Sequence, residues 1–430
     1  MTVLRWVGDG HSPVTNQKSR RAGTPKLCSR FPIESGDCFR AENGASRNRG
    51  NERRNHSMIN SYRSCGVIHN GVTAVSCRAL NFPRTVPGGI HRTRVEMISM
   101  SELLNHISEQ ALSDYDRLRD DCGLIELGAW SLLEMTGDDR KGWLQGQVSN
   151  DLRRFENGAS ISFCVCAPTG QLQCPVDGWA LSDRFAFTCD AGSEGGLLER
   201  VAHMVILEDV VAENVTKKYK VFSLQGPSAS KRLSEFTELP NLDAGEGTID
   251  DVPVRLFRSN RTGLGGWDIW FPATRRKIAE TLRNAVAPVN GEAYQAARLE
   301  AGIPVFGRDW DRRTLPPELG PAFENKHISY SKGCYTGQEV LMRMHSRGHT
   351  NRTWVGLVAE SPLEEGAKVK HPARLDAGVV TSVAFSPDYG PIAAAMLRNE
   401  IAEDKEEVRV LTSRGEVVAE VRRMPIMRLT

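Results

Sequence analysis

The sequence predicts an α+β protein: a long mixed region of strands and helices followed by a small all-β module. Three observations predict it. Apolar periods of strand and helix type alternate irregularly from Ser101 onward, without the strict strand–helix–strand rhythm of a parallel sheet. After Gly348 the helical period disappears, and short extended runs separated by turn residues take over. Residues 1–96 show neither period and stand apart in composition. The expected organisation is therefore an extension over 1–96, two α+β subdomains over 101–349, and an all-β domain over 350–430.

Each element has a local reason. Ser101 is a candidate helix cap, and Leu103, Leu104, Ile107 and Leu112 give the apolar face of a helix that Asp120–Gly123 breaks. Leu124 to Met135 reads as strands around Gly128. Gly137 to Gln147 reads as a helix capped by Asp138 or Asp139, with Trp143, Leu144 and Val148 facing inward. Ile161–Cys166 and Ala180–Thr188 read as strands flanking Pro168-Thr169-Gly170, and Ser193–Glu208 as a helix. Lys218–Leu224 is a strand, followed by a helix from Ser228 to about Phe236. Val252–Ser259 and Gly266–Phe271 are strands joined by the turn at Arg261-Thr262-Gly263. Ala273–Val286 and Gly291–Glu300 are helices, the second closed by Gly302. Trp354–Val358, Gly366–Val369, Gly378–Phe385, Pro391–Leu397, Glu407–Thr412 and Glu416–Met424 are the extended runs of the last module.

Composition limits the function classes. The hydrophobic share of 40% and charged share of 25% are those of a globular chain. No apolar run approaches the ~20 residues needed to span a bilayer. The ten cysteines are scattered, with no C-x-x-C pair, and read as reduced thiols of an intracellular protein. Cys164, Cys166, Cys174 and Cys189 read as core packing. The net charge of +2 conceals an arginine excess over residues 1–96, where Lys18 and Lys26 are the only lysines. Three readings of that extension compete: a phosphate-neutralising tail, an organellar transit segment, or a start called too early, with Met97 or Met100 the true one. The third is preferred, because a transit segment of this length lacks an amphipathic helix.

The stretch Lys332-Gly333-Cys334-Tyr335-Thr336-Gly337-Gln338-Glu339 concentrates unlike chemistries. Gly333 and Gly337 allow a tight turn or a close approach. Lys332 favours the thiolate of Cys334, the nucleophilic form. Tyr335, Gln338 and Glu339 add a ring, an amide and a carboxylate. His327 and His345 bracket the loop, with no spacing diagnostic of a metal site, so no metal is expected. Gly263-Leu264-Gly265-Gly266 lacks the spacing of a phosphate loop, and no Ser-His-Asp arrangement is evident.

This octapeptide resembles the signature of the YgfZ family of folate-binding proteins, relatives of the glycine-cleavage T-protein. Phe323-Glu324-Asn325, Ser329-Tyr330-Ser331 and Arg347-Gly348 are similar too, as is Thr136–Asp151 to the T-protein opening. The resemblance runs from Ser101 to the C-terminus. It implies a T-protein-like fold of three subdomains around a central opening that holds a reduced folate, the last a β-barrel. It also places Trp267, Asp268 and Arg298 at the folate, with Gly266-Trp267-Asp268 matching a Gly-aromatic-Glu segment that contacts the pterin. Trp267 reads equally as core, and Arg298 as a surface ion pair with Glu292 or Glu300. Cys174 and Pro175 stand where the T-protein carries paired aspartates. Neither is a general base, and Asp177 is displaced along the strand.

What the resemblance implies is a tetrahydrofolate-binding accessory protein in iron–sulfur cluster assembly or repair. Its clients would include a tRNA-modifying enzyme, its reactive group would be Cys334 tuned by Lys332, and Gly333, Tyr335, Gly337, Gln338 and Glu339 would lie at the cofactor. Whether it is itself an enzyme stays open. If so, aminomethyl or other one-carbon transfer of the T-protein kind is expected. A third reading is an RNA-binding interaction protein acting through the arginine-rich extension, since the core itself is not expected to bind nucleic acid. The expected setting is cytoplasmic, or mitochondrial if the extension is a transit segment. The expected partners are reduced folate and iron–sulfur client proteins, with no membrane.

Overall fold

The structure, a computed structural model, describes residues 107–348 and 350–427. The expectations for residues 1–96 and for a cap at Ser101 lie outside them. The first described helix, α1 (Glu109–Asp120), begins at Ser108, whose hydroxyl accepts from the Ala111 amide. In order there follow β1 (Gly123–Glu126), β2 (Trp130–Thr136), α2 (Arg140–Gln145), β3 (Ser160–Cys166), β4 (Leu172–Ala180), β5 (Phe185–Asp190), α3 (Gly195–Met204) and β6 (Val211–Asn214). Next come β7 (Tyr219–Gln225), α4 (Ala229–Leu233), β8 (Ala244–Ile249), β9 (Val252–Ser259), β10 (Gly266–Pro272), α5 (Arg276–Ala285), α6 (Gly291–Glu300), α7 (Pro321–His327) and α8 (Gln338–Arg347). The last are β11 (Arg352–Ala359), β12 (Lys368–His371), β13 (Arg374–Ser386), β14 (Gly390–Arg398), β15 (Glu407–Thr412) and β16 (Gly415–Arg422).

The α+β class and the closing barrel are as expected. One five-stranded sheet runs β3-β4-β5-β2-β6 and a second runs β1-β7-β10-β9-β8, while β11 to β16 close into a barrel. Every named pairing is antiparallel. The first sheet is packed by Phe163, Val165, Phe187 and Leu197, the second by Leu224, Trp267, Ile269 and Leu282, and the barrel by Leu357, Val369 and Val421. A further cluster joins β3 and β4 to the barrel through Phe323, Tyr335, Leu341 and Trp354. It seats the Lys332–Glu339 stretch. No helix among the described residues is long and apolar enough to cross a membrane.

Two elements are shorter than their periodicity suggests, for one reason. The expected helix to Glu208 ends at Met204, because the Glu208 carboxylate turns back to accept from the Ile206 and Leu207 amides. Asp139 precedes α2 without capping it, since its carboxylate accepts from the Asp209 amide instead. Local polar groups took partners from a neighbouring loop.

Candidate functional site

The two sheets, the segment after α6 and α7 enclose a cavity of about 230 Å³. Trp130 enters from the start of β2, Asp177 from β4, Thr188 and Asp190 from β5, and Lys326 and His327 from α7. Strand geometry explains the grouping. Asp177 pairs directly with Thr188, and alternate residues of a strand share a face, so Pro175 and Asp177 point the same way.

Two carboxylates in this cavity are driven in opposite directions. Burial would raise the Asp177 carboxyl, but Lys326 and Arg261 outweigh it and hold the group well below the usual range. The Lys326 ammonium donates to Asp177 Oδ1 at 2.9 Å, and Ser162 donates to the same oxygen at 2.6 Å. Among the described residues no cation is in contact with Asp190. Burial pushes it up to about 6, although the Phe306 amide and the Trp310 indole both donate to Oδ2. His327 is pushed down to about 4 by burial and by Lys326. One cavity thus holds a fixed anion beside a carboxyl that exchanges its proton near neutrality.

The residues expected at the folate lie in the elements beside this cavity and not on its wall. Trp267 is core: it is buried among Leu224, Ile269 and Leu282, and its indole donates to Ser230. Asp268 is fully buried and spent on protein partners. Ser223 and Ser259 donate to Oδ1 at 2.6 and 2.7 Å, and Arg261 donates to Oδ2 at 2.5 Å. Arg298 forms no surface ion pair. It is buried, donates to Asp309 at 2.9 Å, and also serves Gln295, the Ile303 carbonyl and Ser382. Glu292 instead accepts from Ser108, and Glu300 from Tyr115. None of the three lines the cavity. A shorter side chain at 268, flanked by two serines and an arginine, retreats into the sheet.

The signature stretch forms the approach to α8. Gly337 has φ +87°, and a Cβ there would lie 2.6 Å from the Ala167 carbonyl, so glycine is required. Gly333 meets only open space. Tyr335 is buried against Cys164 and Cys166. Gln338 closes the loop by donating to the Lys332 and Gly333 carbonyls, both at 3.4 Å, and Glu339 is exposed. Cys334 is the one exposed cysteine among the described residues. The expected coupling of Lys332 to that thiol meets another geometry. Lys332 is buried, and its ammonium donates to the carbonyls of Gln145, Val148 and Asn150 at 2.7, 2.6 and 2.8 Å. It also lies over the Tyr335 ring. It is a strut binding the loop to the end of α2. No residue of 332–339 lines the cavity; Phe323 belongs both to the cavity wall and to the cluster that packs Tyr335.

His327 and His345 do not converge with Cys334. The first stacks on Phe323 and the second on Tyr330. Among the described residues no group of three His, Cys, Asp or Glu side chains is arranged to hold a metal ion. Sequence reasoning passed over Trp130, Asp190, Arg261 and Lys326. The signal available was alternation: with Asp177 on a strand, its cross-strand neighbours belong to the same face.

Comparison with known proteins adds to this geometry. The family described as the GCVT N-terminal domain matches residues 75–325. An aminomethyltransferase of Listeria welshimeri is 27% identical over 327 residues, covering 73% of this chain and 88% of that protein. A tRNA-modifying protein YgfZ of Enterobacter sp. (strain 638) is 27% identical over 231 residues, covering 53% of this chain and 69% of that protein. Among solved structures, the glycine cleavage system aminomethyltransferase T from Bartonella henselae superposes with a TM-score of 0.64 at 21% identity. It covers 75% of this chain and 91% of that one, and shows a shared fold.

Proposed function

The chain belongs to the GCVT N-terminal domain family, within the YgfZ and T-protein superfamily, and from that premise we propose that it binds a reduced folate in the cavity at Asp177 and Asp190 and acts as an accessory protein in iron–sulfur cluster assembly or repair. Cys334 is the reactive group in this reading. The cavity fits such a ligand. Trp130 and Phe323 offer flat walls for a bicyclic ring, and two carboxylates offer acceptors for its N–H groups. When bound, a reduced folate supplies nitrogens able to carry a one-carbon group. The protein's part is to hold the ring, keep Asp177 ionised, and shield the site under α7.

What supports the accessory role is that Cys174 and Pro175 stand where the resemblance puts the T-protein's paired aspartates. Cys174 is wholly buried in the core of the first sheet, and Pro175 has no titratable group. Meanwhile Cys334, exposed on a braced loop, is the nucleophile that remains available. The test is the activity of an iron–sulfur enzyme such as aconitase, in cells lacking this gene under oxidative stress. Rescue by the wild type and failure by Cys334→Ala is the expected result. Unimpaired activity on deletion sinks the cluster role.

A second reading, folate-dependent aminomethyl transfer, is favoured by one observation. Asp177 reaches the same cavity from further along β4 and is held ionised there. Ammonia release from an aminomethylated carrier protein, abolished in Asp177→Asn, would favour that reading over the first.

A further inference from the structure

Asp268 occupies the position from which the resemblance would have a carboxylate read the pterin, yet it has no oxygen to spare. The arginine that neutralises it points elsewhere as well. Arg261 is buried, its guanidinium lies 3.9 Å from the centre of the Trp130 ring, and its other amino group sits 3.4 Å from Asp177 Oδ2. We propose that Asp177, rather than Asp268, accepts from the N–H edge of the pterin ring, and that Asp268 and Arg261 are positioning residues holding it in place. This rests on the reduced-folate reading given above.

The distribution of partners is the argument. Asp177 Oδ1 is taken by Ser162 and Lys326. Its Oδ2 has the 3.4 Å contact with Arg261 alone among the described residues, longer than the ~2.7–2.9 Å of a full charge-assisted bond. That oxygen retains acceptor capacity on the cavity side. Asp190 is the weaker acceptor, since its Oδ2 already serves Phe306 and Trp310 and burial favours its neutral form.

Arg261 cannot close fully on Asp177, because its nearer amino group is shared between Asp268 Oδ2 at 2.5 Å and Thr188 Oγ1 at 3.0 Å. Its backbone amide is fixed by Gln225 Oε1 at 2.8 Å. Asp268 is in turn fixed from β7 and β9 by Ser223 and Ser259. Asp268 thus restrains Arg261, and the restrained Arg261 keeps Asp177 ionised without consuming it. Loss of Asp268 frees the guanidinium to compete with the ligand for Asp177.

The test is calorimetric titration of the full chain with tetrahydrofolate in anaerobic buffer, from about pH 5.5 to 7.5. The groups facing Asp177 are Lys326 and His327 on α7, Arg261 after β9, Ser162 on β3, and Asp190 beyond Thr188. Affinities are read as the ratio of variant to wild type, so the titration of Asp190 and of the ligand cancels. Asp177→Asn is expected to bind at least tenfold more weakly, about 1.4 kcal/mol. Asp268→Asn, which keeps the serine contacts, is expected to weaken binding about threefold or more. Arg261→Gln/Asp268→Asn leaves no buried charge unpaired, and Lys326 still holds Asp177 ionised. It is expected to bind more tightly than Asp268→Asn alone, because the guanidinium freed to compete for Asp177 is gone. A purely structural network would lower the unfolding midpoint and make the double variant no better than the single one. A double variant no tighter than Asp268→Asn, or Asp177→Asn binding within twofold of wild type, overturns the inference while the folate reading stands. Absence of tetrahydrofolate binding to the wild type overturns both.

Discussion

Replacing Lys332 by methionine separates a strut from a tuner of Cys334. The ammonium bridges three backbone carbonyls, at Gln145, Val148 and Asn150, all within 2.8 Å. Methionine fills the same volume and satisfies none of them. A buried carbonyl left unpaired costs about 1 kcal/mol at the low end, so three give about 3 kcal/mol. Part of this is offset, because burial already disfavours the charged amine and pushes Lys332 down to about 8. A net loss of about 2 kcal/mol is expected in urea unfolding at neutral pH, with an unchanged denaturant slope. The sign of a second effect follows from linkage. With the folded pKa near 8 and the ordinary lysine value at 10.5, the unfolded chain binds more protons between those limits. Wild-type stability should therefore gain on Lys332→Met as pH rises through that window. Alkylation of Cys334 by iodoacetamide should change less than about twofold, since the ammonium is committed to carbonyls. A stability loss under about 0.5 kcal/mol, together with a tenfold slower alkylation, would refute the strut and restore Lys332 as the thiol's partner.

Two further outcomes follow from particular contacts. Gly337→Ala must adopt φ +87° and place a methyl 2.6 Å from the Ala167 carbonyl. It should cost about 2–4 kcal/mol in chemical denaturation and expose the Cys334 loop to proteolysis. Glu300 is raised by burial to about 7 from 4.5. The folded chain then binds more protons than the unfolded one across that window, so this group lowers stability as pH rises from about 4.5 to 7. His327, held near 4, acts oppositely below the ordinary histidine value of 6.5, which makes the comparison differential. Glu300→Gln should gain up to about 3 kcal/mol on the wild type between those limits, and no relative gain would show that Glu300 is not buried as a neutral acid.

The fold was legible where periodicity was strong. The last six extended runs read as a small β module, and their closure into a barrel came with the resemblance; each places alternating apolar residues such as Val355, Leu357, Val408 and Val410 on one face. α6 was legible to the residue at both ends, because Asn290 caps it and Gly302 follows it at φ +68°. β6 and β8 were missed, being short and polar: Val211–Asn214 and Ala244–Ile249 carry exposed charged residues and acquire strand character only from their neighbours.

The site divided the same way. The candidates for chemistry, Cys334 among them, were marked in the chain by residue type, as was Cys174-Pro175 at the place where the resemblance puts a carboxylate pair. A glycine at 337 was legible as a turn, though not the carbonyl that forbids a side chain there. What the tertiary structure decided was partnership. Asp268 and Asp177 are chemically identical side chains 91 positions apart in number. One is sealed between Ser223, Ser259 and Arg261, and the other opens onto the cavity beside Lys326. Lys332 likewise lies two residues from Cys334 but reaches 182 or more residues back to its carbonyls. Local chemistry depends on side-chain type and is carried by the sequence itself. Burial and ion pairing depend on which distant segments arrive at the same place, and only packing of the two sheets and α7 sets that.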